Sequence, residues 1–178
     1  MILEAPKFMI EVTKYSELTI QKREQLDIFI QNEFGHIPIV REISWATPDW
    51  TIINYCKNKV ATFYNIVERT ITIDGRGFKV AGINNVITPT EFRGKGFSTE
   101  TLIETKSFLF ENLNADLALL LCADKLIPFY QRIGWYEVNC DVHFDQPTGN
   151  KIWTAKTMIL TKAEKISPTK IELNGLPW

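Results

Sequence analysis

A glycine-rich segment between an apolar stretch and a helix-forming stretch is the part of the sequence best suited to chemistry. It reads Arg93-Gly94-Lys95-Gly96-Phe97-Ser98 and follows Val86-Ile87-Thr88. Backbone N–H groups at the start of a helix bind anions, because they lack partners within the helix and the helix dipole adds positive potential. The two glycines let a ligand approach the backbone closely, and the arginine and lysine add charge. The pattern predicts a pyrophosphate-binding loop; the alternative is a solvated basic turn before an ordinary helix.

Turn signals and hydrophobic periodicity predict the elements that must position this loop. Asp74-Gly75 is typical of a tight hairpin, and Gly35 and Gly134 are typical of helix ends. The predicted order is β-α-β-β-β-α-β-α-β-β, a mixed α/β (α+β) fold with a β meander in the middle. The predicted strands are 8–12, 50–55, 60–73, 78–88, 116–123, 135–138 and 153–161, and the predicted helices are 16–34 or 19–34, 99–113 and 126–133. Residues 36–49 are predicted to be irregular, and a turn at 146–150 is predicted between the last two strands.

Length and charge narrow the classes of function. A chain of 178 residues favours a single domain, spanning residues 1–178. Twenty Lys and Arg residues face twenty-one Asp and Glu residues, which gives a formal net charge of −1. This balance argues against a nucleic-acid-binding protein and against a protein that docks on anionic membranes, because both need a basic surface.

The cysteines and histidines are too few and too scattered for a metal site. Cys56, Cys122 and Cys140 form no CxxC pair, and His36 and His143 are far apart, so no metal is predicted. An odd number of cysteines favours reduced thiols and a cytoplasmic location. The first twelve residues include an acid and no long apolar stretch, which argues against a signal peptide.

The glycine-rich loop resembles the pyrophosphate loop of the GNAT-type N-acetyltransferase superfamily, whose motif is (Arg/Gln)-x-x-Gly-x-(Gly/Ala). Arg93 and Gly96 match this motif, Ser98 takes the place of its last small residue, and Pro89 precedes the arginine by four residues. The segment Phe129-Tyr130-Gln131-Arg132-Ile133-Gly134-Trp135 resembles a later family segment, Tyr-x-x-x-Gly-(Phe/Trp). The resemblance covers about residues 50–138 well, and it makes 1–49 and 139–178 acceptor-side and closing elements. It implies a mostly antiparallel central sheet, helices on both faces and a splayed strand pair at the cofactor site.

The resemblance implies an N-acetyltransferase that uses acetyl-CoA and no metal, with direct attack of an amine on the thioester through a tetrahedral intermediate. The loop from Arg93 to Ser98 would bind the pyrophosphate, and backbone N–H groups of Val86, Ile87 and Thr88 would hold the thioester carbonyl. Tyr130 stands at the family's acid position. Proton transfer from a tyrosine (pKa about 10) to a thiolate (about 8.5) is uphill by roughly 2 kcal/mol. A hydrogen bond from Tyr130 to the leaving sulfur is therefore at least as good an interpretation, and a buried aromatic without a catalytic role is the third.

The acceptor side is less well defined. Asn84 and Asn85 stand on the central strand, where they either hydrogen-bond the acceptor or bridge a β-bulge. Neither amide is a base, so Glu68, Asp49 and the carboxylate of Trp178 remain as candidates, although each is equally a solvated surface acid. The side chain of Trp178 either closes the acceptor site from the tail or packs in the core.

Three features resemble the aminoglycoside 2′-N-acetyltransferase branch: Trp50, the pair Gly134-Trp135 and a tail ending in Trp178. That branch carries an acid where this sequence has Asn84 and an acidic pair where it has Gly149-Asn150-Lys151, which argues against a polycationic substrate. The sequence predicts acetylation of the amine of a small molecule. A non-catalytic acyl-CoA-binding or sensor domain of the same fold is the alternative. The resemblance also allows a homodimer that pairs through C-terminal strands.

Overall fold

The computed structural model describes residues 8–178, which form a ten-stranded sheet with helices packed on it. Residues 1–7, on which the argument against a signal peptide partly rests, lie outside the described residues. The strands are β1 (Met9–Lys14), β2 (Trp50–Cys56), β3 (Lys59–Ile73), β4 (Arg76–Ile87), β5 (Leu117–Cys122), β6 (Tyr136–Val138), β7 (Asp141–Gln146), β8 (Gly149–Ile152), β9 (Lys156–Thr161) and β10 (Lys170–Glu172). The helices are α1 (Ile20–Phe34), α2 (Pro38–Glu42), α3 (Phe97–Glu104) and α4 (Ile127–Gln131), with a π-helical turn at Phe108–Asn112. None of the helices within residues 8–178 has the length and apolar composition needed to cross a membrane.

The sheet is mostly antiparallel, as predicted. Its strands lie in the order β6-β9-β5-β4-β3-β10-β7-β8, and β2 and β1 continue from the first half of β3. In the described part of the chain, the parallel pairs are β4 with β5 and β7 with β10. The long strand β3 pairs with β2 near its start and with β10 near its end, so it connects both parts of the sheet.

Tight turns with left-handed backbone join β2, β3 and β4. Lys57 and Asn58 have φ values of 49° and 63°, and Asp74 and Gly75 have φ values of 48° and 80°. Two consecutive residues with positive φ are the geometry of type I′ turns, whose twist matches that of the paired strands. The predicted meander and its hairpin are therefore confirmed, and the turns set the register of these strands.

Apolar side chains on the two faces of the sheet bury different elements, because alternate residues of a strand point to opposite faces. On one face, which we call the α3 face, Ile66 belongs to a core cluster with Leu102 of α3 and with α4. On the opposite face, which we call the tail face, Phe63 packs with α1, and Leu119 packs with the C-terminal tail, residues 171–178. Helices thus cover both faces, as predicted, but part of the tail face is covered by an extended tail instead of a helix.

The helix predicted for residues 99–113 begins earlier and is interrupted once. α3 starts at Phe97 and ends at Glu104, and after Thr105 the chain is helical again through the π-helical turn that ends at Asn112. The Thr105 hydroxyl donates a 2.5 Å hydrogen bond to the carbonyl of Thr101, and the Tyr64 hydroxyl lies 2.6 Å from the same oxygen of Thr105. A threonine that binds the carbonyl four residues earlier bends a helix. The predicted helical segment is therefore present, but periodicity does not show the interruption at Thr105.

Four short elements are missing from the predicted order: α2, β7, β8 and β10. β7 and β8 form a hairpin around the predicted turn, so this turn does not join β6 to β9, although those two strands do pair. β8 is exposed at all four residues and β10 has three residues, so neither shows a hydrophobic alternation that a sequence would reveal. α2 begins at Pro38, where a missing N–H costs little, so residues 36–49 are only partly irregular.

The indole of Trp178 lies against β4 at Gly82. Trp178 is 3% exposed, and its indole N–H donates a 3.1 Å hydrogen bond to the carbonyl of Leu119 on β5. A Cβ atom at position 82 would overlap the indole ring. Only glycine therefore lets the tail approach the sheet this closely.

Replacing Gly82 with alanine should displace Trp178 and destabilise the protein by about 1–3 kcal/mol, the usual cost of overpacking a core. Gly77→Ala is a matched control on the same strand, because a Cβ there would meet only the Thr70 methyl group at 3.5 Å. Thermal denaturation should lower the melting temperature of Gly82→Ala by about 2–4 °C per kcal/mol and leave Gly77→Ala nearly unchanged. Equal melting temperatures for the two variants would show that the indole does not lie on Gly82.

Candidate active site

β4 and β5 separate near the centre of the sheet. They pair from Val80 with Leu117 to Ile83 with Leu120, and the pairing ends there although β4 continues to Ile87. This is the splayed strand pair predicted from the sequence. It leaves the backbone groups on the β5 side of residues 84–87 without a strand partner and facing an opening.

An extra residue in β4 accompanies this separation. Asn65 pairs with Asn84, but Phe63 pairs with Ile87, so two residues of β4 oppose one residue of β3. Asn85 has a φ of 52°, a left-handed conformation that asparagine adopts more readily than most residues. A β-bulge bends its strand and increases the local twist. The bulge that the asparagine pair suggested is present, with Asn85 as the left-handed residue.

The glycine-rich loop leads directly into α3. Gly94 and Gly96 have φ values of 72° and 82°, and Gly96 is the N-cap of α3, which no side chain within residues 8–178 caps. The first N–H groups of the helix, including those of Phe97 and Ser98, have no helical acceptor and are free to bind an anion. A cleft of about 200 Å³ opens beside them, lined by Phe8, Lys95, Gly96, Phe97 and Glu100.

The basic side chains of the loop hold the loop in shape. Arg93 donates a 3.0 Å hydrogen bond to the carbonyl of Thr88 and forms a 2.5 Å ion pair with Glu33 of α1. Lys95 donates a 2.8 Å hydrogen bond to the carbonyl of Glu91. The Glu33 carboxylate offsets the charge of Arg93. Arg93 therefore adds less positive potential than the sequence predicted, and the backbone N–H groups matter more.

Tyr130 lies on the α3 face, beside the free end of β5. Its ring packs against Trp135 with the ring centroids 5.9 Å apart, and Cys122, the last residue of β5, is a neighbour. The residue is 5% exposed, and its hydroxyl has no hydrogen-bond partner within residues 8–178. Burial raises the pKa of this phenol above its ordinary value. At neutral pH the hydroxyl therefore keeps its proton and can donate a hydrogen bond.

Asn84 lies on the tail face, between the part covered by α1 and the part covered by the tail. Gly82, two residues earlier, lies under Trp178, and Ile87, three residues later, belongs to the core cluster with α1. Asn84 is partly exposed, but its carboxamide oxygen is enclosed and has no hydrogen-bond partner within residues 8–178.

The side chains of residues 86–88 are used within the protein. Val86 packs on the α3-face core, Ile87 is buried with α1, and the Thr88 hydroxyl donates a 2.9 Å hydrogen bond to the hydroxyl of Thr62. The backbone of this segment, and not its side chains, thus faces the opening between β4 and β5.

Trp178 does not line this opening. Its indole N–H is bound to Leu119 and its ring covers Gly82, so the side chain is part of the core. This corrects the expectation that the Trp178 side chain closes an acceptor site. A buried strand position that only glycine fits is the sequence signal that was overlooked.

Two of the acids that the sequence offered as bases have partners in the protein. Glu68 accepts a 2.7 Å hydrogen bond from the indole of Trp50 and lies 3.6 Å from the ammonium of Lys79. Asp49 accepts a 2.7 Å hydrogen bond from the backbone N–H of Glu68. Glu68 points to the α3 face and Asn84 to the tail face, so the fold does not bring Glu68 to Asn84. Trp178, whose carboxylate was the third candidate, lies on the tail face against Gly82, two residues from Asn84. Glu68 and Asp49 line a second cleft of about 230 Å³, together with Lys14, Ser16, Pro48 and Trp50.

No group of His, Cys, Asp and Glu side chains in residues 8–178 is arranged to hold a metal ion.

Asn54 is a positioning residue that sequence reasoning missed. It is fully buried on β2, and its carboxamide N–H donates a 2.9 Å hydrogen bond to the hydroxyl of Thr101 in α3. The sequence signal was a polar residue in the apolar run of β2. Buried polar groups are kept where a partner needs them, and this partner sets the position of α3.

Solved structures with the same fold come from several bacteria. Escherichia coli ElaA is 15% identical, with a TM-score of 0.58 over 86% of this chain and 99% of that chain. An acyl-CoA N-acyltransferase from Pseudomonas aeruginosa is 12% identical, with a TM-score of 0.57 over 86% and 99%. The GNAT family N-acetyltransferase YhbS from E. coli, solved in complex with CoA, is 13% identical, with a TM-score of 0.57 over 95% and 91%. At these identities the likeness concerns the fold.

Comparison of sequences is more specific about the family. No curated protein matches the chain. A sequence model of the acetyltransferase (GNAT) domain matches residues 38–138, more than half of the chain. This range includes the splayed strands, the glycine-rich loop, α3 and Tyr130, and the chain therefore belongs to the GNAT acetyltransferase family.

Proposed function

We propose that this protein is an acetyl-CoA-dependent N-acetyltransferase that transfers the acetyl group directly to the amine of a small molecule. Membership of the GNAT family supports an acyltransferase in general; the acetyl donor, the amine and the residue roles below are our proposal. One observation carries it. β4 leaves β5 at a bulge and then runs into a glycine-rich loop and an uncapped helix.

The loop has the donors that a pyrophosphate needs. The start of α3 presents backbone N–H groups without helical acceptors, and a left-handed Gly96 keeps their approach free of a side chain. Lys95 adds positive charge, whereas Arg93 shapes the loop through Thr88 and Glu33. Acetyl-CoA, when bound, supplies an acetyl group activated as a thioester.

The backbone of Val86, Ile87 and Thr88 would orient the acyl arm. These residues follow the bulge, where β4 no longer pairs with β5, so their backbone groups on that side are available to a ligand. Their side chains are held in the two cores and by Thr62, which fixes the direction of the backbone. Backbone donors that are fixed before the reaction are effective at stabilising negative charge that develops on an oxygen.

Tyr130 would donate a hydrogen bond to the leaving sulfur. Its hydroxyl has no partner within residues 8–178, and burial raises its pKa, so the proton stays on the phenol at neutral pH. A raised phenol pKa makes complete proton transfer to a thiolate more unfavourable than the difference between ordinary tyrosine and thiol pKa values. A hydrogen bond to the developing thiolate is therefore the role that we assign.

The acceptor would enter from the tail face. The α3 face is filled by packed side chains of α3 and α4, whereas on the tail face Asn84 is partly exposed between α1 and the tail. Asn85 is used by the bulge and Trp178 supports β4 from the core. Of the three residues expected to bind the acceptor, we retain Asn84.

A non-catalytic acyl-CoA-binding domain is the second candidate. The observation that favours it is the neutral amide of Asn84 at the centre of the sheet, where a base would speed deprotonation of an amine. Such a domain would bind acetyl-CoA and acetylate no amine. For either function we propose a cytoplasmic protein without a nucleic-acid partner, since the three cysteines are unbridged and the net charge is −1. We leave a homodimer open to measurement of the mass in solution.

Acetyl-CoA should stabilise the protein against heat, and Gly96→Glu should abolish the effect. A ligand at 100 times its Kd adds about 2.7 kcal/mol to the free energy of unfolding. Gly75→Glu is a matched control, because Gly75 has nearly the same φ (80° against 82°), equally open surroundings and the same added charge, but lies in the β3–β4 hairpin. Loss of stabilisation in both variants, or in neither, would contradict the assignment of the loop.

Tyr130→Phe should reduce kcat about 10- to 100-fold with little change in KM for acetyl-CoA, because a hydrogen bond to a charged group contributes about 1.5–3 kcal/mol. Stability should hardly change, since the hydroxyl has no partner within residues 8–178. Tyr64→Phe is the control with the opposite pattern: it removes the buried contact with Thr105 and should lower the melting temperature. An unchanged kcat for Tyr130→Phe would remove Tyr130 from the mechanism.

A further inference from the structure

The carboxamide of Asn84 ends in an oxygen that the protein leaves without a donor. This oxygen is enclosed, and no residue within 8–178 donates a hydrogen bond to it. Its strand neighbour Asn65 shows the ordinary situation, because the Asn65 oxygen accepts a 2.9 Å hydrogen bond from the hydroxyl of Thr51. A buried acceptor without a partner is costly. Within residues 8–178, Arg23 Nε, Asn54 Oδ1 and Trp153 Nε1 share this state, but Asn84 is the one that lies on β4 beside the opening. A donor from a ligand would complete the pairing of Asn84.

On the described elements around Asn84, the side-chain carboxylates have partners or exposed positions, and the carboxylate of Trp178 lies at the end of the tail on the same face. On β3, Glu68 points to the opposite face, and Arg69 donates hydrogen bonds to the carbonyls of Leu173 and Leu176 in the tail. β5 carries no charged residue from Leu117 to Cys122. The other ionisable groups on the packed elements have partners or exposed positions. The ion pairs are Glu33 with Arg93, Glu172 with Lys170 and Glu68 with Lys79. The hydrogen-bonded groups are Asp145 and His143 with Asn150, Lys22 with Gln25, and Arg23 with the Tyr15 carbonyl, whereas Glu24 and Asp27 are exposed.

We propose that the acceptor is a weakly basic primary amine, uncharged at neutral pH, whose N–H group donates a hydrogen bond to the carboxamide oxygen of Asn84. This inference rests on the proposed acetyltransferase function and names its substrate class. An amide accepts a hydrogen bond from a neutral amine, but it cannot take up a proton from an ammonium group. Arg69 places a positive charge on this face, which does not favour a cation, and Asp49 and Asp145 lie close enough to interact with it.

The proton balance leads to the same class. The nitrogen lone pair forms the new N–C bond, the C–S bond breaks, and the sulfur leaves with the electron pair while Tyr130 donates a hydrogen bond to it. The nitrogen then releases one proton to water, and the thiolate takes one from water. No group of the protein has to act as a base, provided that the nitrogen enters without its extra proton. At pH 7 about one in ten α-amino groups is neutral, against about one in 2,500 lysine ε-amino groups.

The test uses two isomeric probes that differ in basicity. Lysine amide acetylated on the ε-nitrogen has a free α-amine, and lysine amide acetylated on the α-nitrogen has a free ε-amine. Both are offered with acetyl-CoA, within a panel of weakly and strongly basic primary amines, and products are measured by mass spectrometry from pH 6 to pH 9. The weakly basic members should react at least tenfold faster at pH 7. Their rates should rise with pH to a plateau near the pKa of the amine itself, whereas the rates of the strongly basic members should still be rising at pH 9.

Variants at Asn84 separate recognition from folding. Asn84→Asp places a carboxylate at the same position and should shift the preference toward the strongly basic amines at least tenfold. Asn84→Leu should lose turnover of every amine and keep stabilisation by acetyl-CoA. A preference of the native protein for strongly basic amines, an unchanged preference in Asn84→Asp, or full turnover in Asn84→Leu would overturn the inference.

Binding of acetyl-CoA distinguishes the two levels of the argument. If acetyl-CoA stabilises the protein but no amine of the panel is acetylated, the substrate inference is overturned and the binding-domain alternative is favoured. If acetyl-CoA does not stabilise the protein, the proposed function itself fails.

Discussion

The extra residue in β4 is the constraint on which the candidate site depends. Asn84 and Ile87 pair with β3 residues that are only two positions apart, so the chain between them has to bulge. Beyond the bulge β4 can no longer follow β5, because β5 is held in place on its other side by β9 along its whole length. An opening in the middle of a sheet is otherwise unfavourable, since buried backbone groups without partners are costly. The opening lies directly beside the glycine-rich loop at the start of α3.

A column of buried polar side chains directs the start of α3 toward this opening. Asn54 donates to Thr101, Thr101 donates a 2.7 Å hydrogen bond to the carbonyl of Phe97, and Thr105 links the next turn to Tyr64. These contacts join the helix to β2 and β3 at fixed points, which apolar packing alone would allow to slide. The position of the uncapped helix end is therefore set from within the core, independently of any ligand.

The C-terminal tail completes the fold on the opposite face. Arg69 binds two tail carbonyls, and the backbone N–H of Ala46 donates a 2.8 Å hydrogen bond to the carbonyl of Pro177. The tail thereby holds Trp178 on Gly82, directly beneath the part of β4 that precedes the bulge. With α1 on its other side, Asn84 is framed by two covered regions and remains within reach of solvent. Packing thus leaves one polar side chain accessible at the centre of an apolar face.

Local chemistry in the sequence was sufficient for the main elements and for the loop. Asp74-Gly75 formed its turn because two adjacent residues with positive φ need no distant contact, and α1 ended at Gly35 as expected. The glycine-rich loop could be recognised in the sequence because its geometry depends on its own glycines. The family motif spans the same segment, which is why the resemblance and the residue-level argument agreed.

Contacts between residues far apart in the chain decided the rest. The Thr105–Tyr64 contact lies where α3 is interrupted, and Glu33 of α1 offsets part of the charge of Arg93. Trp178 became a core residue because it meets Gly82, 96 positions earlier in the chain. The unpaired oxygen of Asn84 exists only after β3, α1 and the tail have come together. The amino-acid sequence shows which groups are present, but the pairing and burial of each group depend on neighbours that come together only in the tertiary structure.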